Sequence, residues 1–216
     1  MTDSLARPDN GRDYRAWVEA RFQRSVAVPR DFFEAEAERV AQACLAMAGR
    51  FDQGGRLLAF GAGNSVTDAQ HVSVEFVHPV IVGKRALPAI ALGTDMAATL
   101  GLAARGSWHE LYARQITTLS RPEDMALGID PSGDDPAVLA GLRAAAERGL
   151  LTIGLAGGSG GSLVRAGMDF CFVVPCSDTA SVQETHETLY HILWESVHVF
   201  FEHKSLLRLA PAEGRR

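Results

Sequence analysis

The sequence predicts an α/β fold built on a parallel sheet with helices on both faces, and two observations carry that prediction. Five short apolar runs, RLLAFG, ALPAIALG, MALGID, LLTIGLAG and DFCFVVP, have the length of buried strands and are bounded by turn residues. Most of them alternate with segments whose apolar residues recur at helical spacing, and strands joined by helical crossovers lie parallel with both faces covered. Ahead of the first run, residues 13–27 and 31–51 carry apolar side chains at helical spacing, with Val40, Ala43, Cys44 and Met47 as an example, and read as two N-terminal helices.

The elements follow in order. RLLAFG ends in the glycine cluster GAGNS, which opens a helix from Thr67 to about His78. After ALPAIALG comes a small-residue segment from Thr94, then a helix around SWHELYARQITTL. MALGID leads through the turn DPSGDD to the helix PAVLAGLRAAAERG, with Pro136 at an early position and Gly149 closing it. LLTIGLAG, a GGSGG turn and DFCFVVP precede a long C-terminal helix from about Ser181 to Lys204. Residues 1–12 read as a loose arm and 208–216 as a loose tail. With 216 residues, 47% of them hydrophobic, the chain has enough for one core, so 56–207 is expected to form one globular unit with the helices of 13–55.

A net charge of -5 with scattered Lys and Arg offers no footprint for a nucleic acid or a membrane surface. Three cysteines, Cys44, Cys171 and Cys176, are an odd number without CxxC spacing and suit a reducing compartment. The N-terminus lacks the apolar core of a signal peptide, and no run reaches the roughly 18 apolar residues of a membrane span. The expectation is a soluble, cytoplasmic protein.

Chemistry concentrates in two pairs spaced by four: His71 and Glu75 in TDAQHVSVEFVH, and Glu187 and His191 in VQETHETLYHILWESVHVFF, with Gln183 one turn further back. Such spacing puts both members of a pair on one helix face. Facing helices offering imidazoles, carboxylates and a carboxamide could hold zinc or another divalent ion, or supply acid and base groups for proton transfer. The same residues also fit a structural hydrogen-bonded pair, and Gln183 and Glu187 fit a solvated helix face. His186 and His198 read as supporting or surface residues, and Trp108, Tyr112, Trp194, Val197, Phe200 and Phe201 as core or interface packing.

Ligands of open parallel sheets bind beyond the carboxyl ends of the strands, where GAGNS, GTD and DPSGDD sit. Glycine-rich turns leading into helices point free N–H groups at an anion. Asp95 is placed either to cap a helix or to touch a ligand.

The order of these motifs resembles the sugar isomerase (SIS) domain and, within it, the sedoheptulose 7-phosphate (phosphoheptose) isomerases. The firmest segments are FGAGNSVTDAQHVSVEF and VQETHETLYH; TD at Thr94 and Asp95, SWHELYARQ, GIDPSGDD and LAGGSGG match more weakly. The resemblance implies a three-layer αβα sandwich, flavodoxin-like, around a five-stranded parallel sheet, and a homotetramer with sites shared between subunits. It implies that Glu75 and His191 are the catalytic acid/base pair, and that His71, Glu75, Gln183 and His191 are zinc ligands, as in some members. Gly63, Asn64, Ser65, Thr94, Asp95, Asp130, Ser132, Asp135 and Gln183 fall at substrate-binding positions for a small-molecule sugar or sugar derivative. The implied reaction is an aldose–ketose interconversion.

Two departures stand out. The family's phosphate loop reads close to STSGNS, whereas this chain has Asp130, Pro131, Ser132, Gly133, Asp134 and Asp135. Two unit charges about 4 Å apart repel by about 4 kcal/mol at an effective dielectric near 20, so a carboxylate facing a phosphate would erase its binding. Ala180 stands where the heptose isomerases carry an aspartate three residues before the glutamine. The sequence therefore points to a metal-assisted isomerase with altered phosphate recognition. Alternatives are a non-catalytic SIS protein that binds a sugar-like ligand or a protein partner, and a metal-sensing or delivery protein using the same four residues. Asp134 and Asp135 also suit the start of the following helix.

Overall fold

A computed structural model of the chain describes residues 14–203; the expected arm, the tail and the end of the C-terminal helix at Lys204 lie outside these residues. The first element, α1 (Tyr14–Asp52), is one helix of 39 residues rather than the expected two. Pro29 sits inside it, where a proline removes one hydrogen bond and crowds the preceding turn at a cost of about 3 kcal/mol. Packing on both sides of the proline offsets that cost. Before it, Arg21 Nη2 pairs with Glu184 Oε1 at 2.5 Å on α6 (Thr179–Glu202); after it, Phe32, Val40, Cys44 and Met47 are buried in the same core as the apolar face of α6.

Five strands form one parallel sheet in the order β2-β1-β3-β4-β5: β1 (Leu57–Gly61), β2 (Ala89–Ala91), β3 (Met125–Ile129), β4 (Leu151–Gly157) and β5 (Phe170–Val174). Every residue of β1, β3 and β4 is buried, the mark of strands covered on both faces. Alternation along β1 shows the layers. Leu57 and Ala59 join the core under α1, α2 (Ser65–Val77) and α6, while Leu58 and Phe60 join the core under α4 (Leu111–Leu119) and α5 (Pro136–Glu147). The result is the three-layer αβα sandwich with the flavodoxin-like strand order.

Three further elements differ from expectation. β2 is three residues long because Pro88 lacks the N–H that a ladder needs, and only its carbonyl takes part, accepting from Leu57 N at 2.9 Å. The small-residue segment after Thr94 forms a further helix, α3 (Met96–Ala104), and the helix expected around SWHELYARQITTL splits into a 3₁₀ turn, Trp108–Glu110, and α4. Among the described residues no helix is long and apolar enough to cross a membrane.

The strand order reverses between β1 and β3. In such sheets the crevice outside the carboxyl ends of those two strands is where ligands bind.

Candidate functional site

The turn between β1 and α2 sets the direction of α2. A Cβ on Gly61 would lie 2.4 Å from the Ser65 carbonyl oxygen, so only glycine allows so tight a turn. The buried Tyr112 hydroxyl donates to the Gly61 carbonyl at 2.6 Å and fixes it from the opposite layer. From there α2 presents Asp68, His71 and Glu75 to α6, which presents Gln183, Glu187, Tyr190 and His191. Asp178 starts α6 by accepting from Ser181 Oγ at 2.7 Å and Ser181 N at 3.3 Å.

The ends of these side chains meet in the seam. His71 Nε2 lies 3.3 Å from Glu75 Oε1 and 3.4 Å from His191 Nε2. His71 Nδ1 lies 2.8 Å from the Tyr190 hydroxyl and 3.8 Å from Glu187 Oε1. Glu75 is largely covered, with 12% of its side chain exposed, whereas Glu187 is 49% exposed and behaves as the solvated residue that helix periodicity suggested. Gln183 Nε2 donates to both oxygens of Asp68, at 2.9 and 3.2 Å. Burial pushes the Asp68 carboxyl up from its usual range, against the hydrogen bonds from Gln183 and Ser65 that hold it down. Burial likewise pushes the Tyr190 phenol up, and the carboxylates of Glu187, Asp68 and Glu75 push it in the same direction, so it is a hydroxyl at neutral pH.

One ligand atom each from His71, Glu75 and His191 lies within 4.8 Å of the others. A tetrahedral zinc with donors at about 2.0–2.1 Å keeps neighbouring donors about 3.3 Å apart, close to the separations found here. The donor set of two imidazoles and a carboxylate fits zinc, and the Gln183 carboxamide stands about two turns before His191 on α6.

Gln183 also lines a cleft of about 340 Å³ with Ala62, Asn64, Ser65, Pro131, Thr179 and Ala180. It lies at the β1/β3 reversal. Asn64 is exposed and its side chain caps nothing, while Gly63 sits in the turn at φ +55°. Behind the cleft, the β3–α5 loop is organised by its own acids. Asp130 is 2% exposed; its Oδ1 accepts from Ser132 N at 3.0 Å and Ser132 Oγ at 2.8 Å, and its Oδ2 from Asp135 N at 2.7 Å. Asp135 Oδ1 caps α5 by accepting from Ala137 N and Val138 N, both at 2.9 Å. Asp134 Oδ1 accepts from Ser162 N at 2.8 Å. Hydrogen bonds from Ser162 hold the Asp134 carboxyl below its usual range. Asp130 is turned inward and Asp135 serves the start of α5, while Asp134 stays exposed; each accepts from N–H groups of the loops around it.

Gly133 makes that loop possible. Its φ is +73°, and a Cβ there would sit 2.2 Å from the Gly160 carbonyl oxygen. Gly133→Ala is expected to destabilise the fold by about 2–4 kcal/mol. Gly63→Ala, also at positive φ but with nothing within 4 Å, is the control and should cost only about 1 kcal/mol. Urea unfolding midpoints of the two variants check the difference.

Other residues singled out by sequence fall elsewhere. Asp95 caps α3, its Oδ1 accepting from Ala97 N at 2.9 Å and Ala98 N at 3.0 Å, and Thr94 Oγ1 donates to the Ala91 carbonyl at 3.1 Å. Two cations that could offset the acids of the β3–α5 loop are engaged elsewhere: Lys84 pairs with Glu202, and Arg85 lies over the Phe201 ring at 5.0 Å. His186 is fully buried, not a surface residue; burial pushes it down to about 4, so at neutral pH the uncharged ring donates Nε2–H to the Ala156 carbonyl at 3.0 Å. His198 is buried as well, its ring nitrogens 2.8 Å from the Trp194 carbonyl and 2.9 Å from that of Arg85. Trp194 and Val197 are core, while Trp108 is half exposed. Sequence reasoning missed Asp68 and Tyr190. Asp68 carried a signal, standing three residues before His71 on the same face.

Comparison with known proteins places this geometry. The SIS domain family model matches residues 22–157, ending before α6. A phosphoheptose isomerase of Roseiflexus sp. is 38% identical over 184 residues, covering 85% of this chain and 93% of that protein. One from Solidesulfovibrio magneticus is 39% identical over 181 residues, 83% of this chain and 87% of the relative. Among solved structures, a phosphoheptose isomerase from Francisella tularensis superposes with a TM-score of 0.81 at 28% identity, covering 86% of this chain and 98% of that one. The enzyme from Neisseria gonorrhoeae gives 0.78 at 29% identity, with 85% and 98% covered.

Proposed function

The chain belongs to the SIS-domain family, among the phosphoheptose isomerases, and from that premise we propose that it is a metal-assisted aldose–ketose isomerase whose phosphate recognition differs from the family's. It is an enzyme of the sugar isomerase class, the intramolecular oxidoreductases. One observation carries the mechanistic reading: His71, Glu75 and His191 converge from two helices, one ligand atom of each within 4.8 Å of the others, and Gln183 on the same helix as His191 lines a cleft at the β1/β3 reversal.

Glu75 takes the proton from the carbon next to the carbonyl, and His191 delivers one to the carbonyl oxygen, giving an enediol. Reversing the two transfers on the neighbouring carbon and oxygen completes the interconversion, so no external oxidant or reductant is needed. His71, Glu75, Gln183 and His191 would hold zinc or a similar divalent ion, which would take the place of the His191 Nε2 proton rather than act beside it. Such an ion, when bound, polarises the carbonyl and eases loss of the adjacent proton.

The substrate is a sugar or sugar derivative entering over Gly63, Asn64, Ser65 and Gln183. Its phosphate, if present, meets a β3–α5 loop whose donors already serve Asp130 and Asp135, so the loop has little left to offer an anion. Calorimetry with sedoheptulose 7-phosphate and its dephosphorylated form tests this. Equal or tighter binding of the unphosphorylated sugar is expected; markedly tighter binding of the phosphate overturns the altered-recognition part and leaves the isomerase intact.

We further propose a cytoplasmic homotetramer in which residues 13–207 form one unit. An exposed apolar stripe on α1, Tyr14, Val18, Phe22 and Val26, supports self-association.

A further inference from the structure

We propose that Asp68 and Tyr190 are positioning residues of this site: Asp68 sets the hydrogen-bond polarity of Gln183 so that its Oε1 is the end free to act, and Tyr190 holds the His71 ring and accepts its Nδ1–H whenever the Nε2 lone pair is in use. The inference rests on the metal-assisted reading above.

A carboxamide has a nitrogen end that only donates and an oxygen end that only accepts. An ionised carboxylate accepts only. Asp68, 6% exposed, is touched on both oxygens by Gln183 Nε2, which fixes the amide with its nitrogen toward α2 and its oxygen at the other end. Without Asp68 the amide turns over at little cost and presents N–H groups, which hold no lone pair for a cation or for a sugar hydroxyl proton.

His71 poses the complementary problem. Its Nε2 faces Glu75 and His191, and it can give up a lone pair there only when the ring proton sits on Nδ1. The group at Nδ1 is the Tyr190 hydroxyl, 2.8 Å away, and a hydroxyl both donates and accepts. Tyr190 therefore accepts from Nδ1–H when Nε2 is in use and donates to Nδ1 when Nε2 carries the proton. Its own ring is 2% exposed and packs edge-on against His71 at 5.2 Å and His191 at 5.0 Å between centroids, so it also fixes the planes of both imidazoles. Outer partners of this kind change metal affinity by about 10–100-fold when removed.

The test is a pair of double-variant cycles read as zinc affinity, by competition with a chromogenic chelator on metal-stripped full-length protein. Tyr190→Phe keeps the ring and removes only the hydroxyl; Asp68→Asn keeps the shape and frees the amide of Gln183 to turn. Each is expected to weaken zinc binding by about 10–100-fold. The decisive arm is the second background. If Tyr190 acts through His71, then Tyr190→Phe adds no more than about twofold to His71→Ala, and Asp68→Asn no more than that to Gln183→Ala. Additive penalties overturn the proposal, as do single variants that bind zinc like the wild type. Should Asp68→Asn fail to fold, the Tyr190 cycle decides alone. A wild-type protein that takes up no zinc refutes the metal reading itself. The same cycles are then read in kcat/KM for isomerisation, where loss of additivity supports the positioning role and additivity overturns it.

Discussion

Glu75→Gln is expected to lower kcat for isomerisation by about 10²- to 10⁴-fold, the usual worth of a positioned general base. Glutamine has the size of glutamate and fills the same place on α2, where 12% of the Glu75 side chain is exposed, so the packing around it is kept. What it loses is the ability to take a proton, and the negative charge beside His71 Nε2 at 3.3 Å. Because Glu75 is also placed among the zinc ligands, the rates are compared with the metal supplied in excess, where loss of a group that acts in the transition state lowers kcat and kcat/KM together. Thermal unfolding of the metal-stripped variant should stay close to that of wild type. Initial rates on an aldose or ketose that wild type converts, together with the unfolding curve, check both parts. Unchanged kcat, or a fall in kcat matched by loss of the fold, contradicts the assignment.

Asp124→Ala is expected to act on stability instead, by about 3 kcal/mol, the low end for breaking a buried ion pair because Arg56 is partly exposed. Asp124 is fully buried at the amino end of the sheet, away from the cleft. Its Oδ2 pairs with Arg56 Nη2 at 2.7 Å and accepts from Arg121 N at 2.9 Å, and its Oδ1 accepts from Arg56 N at 2.8 Å. One carboxylate thus ties the start of β1 to the residues leading into β3. Removing it strands a cation and two backbone donors. Burial pushes the carboxyl up, but the Arg56 guanidinium and the amides of Arg121 and Arg56 outweigh it and hold the folded group below its usual range. The sign follows. With the folded value depressed, this contribution is present above about pH 4, the unfolded value, and is lost as the pH falls through the folded one. Urea unfolding at pH 7 should therefore show the full difference between wild type and variant, and the gap should narrow as the pH drops below about 4. A gap that widens in acid contradicts this account.

The strands β1, β3 and β4 were legible because they are buried on both faces and so read as unbroken apolar runs. β2 was overestimated for the opposite reason: Pro88 ends the ladder while the apolar composition continues. α3 was not legible, since MAATLGLAA is apolar almost throughout, with only Thr99 buried, and shows no stripe that periodicity could find. Pro29 suggested a break that packing against α6 overrides. The site was half legible. Spacing of four on α2 and α6 exposed His71, Glu75 and His191, but their supporting partners lie across the chain, Gln183 115 residues from Asp68 and Tyr190 119 residues from His71, where no local pattern links them. Among the acids of the β3–α5 loop, the helix-start role of Asp135 was legible from Pro136 after it, whereas the N–H groups that Asp130 accepts from were not, because sequence gives its charge and not the donors it faces.

The central claim is that Glu75 moves a proton at the carbon next to a sugar carbonyl. Wash-in of solvent deuterium at that carbon, followed by NMR with sedoheptulose 7-phosphate and its dephosphorylated form in D₂O, tests it most directly. The account predicts exchange with at least one of the two sugars in the wild-type protein and its loss in Glu75→Gln. Exchange that is absent in wild type with both, or that proceeds equally in the variant, would contradict it.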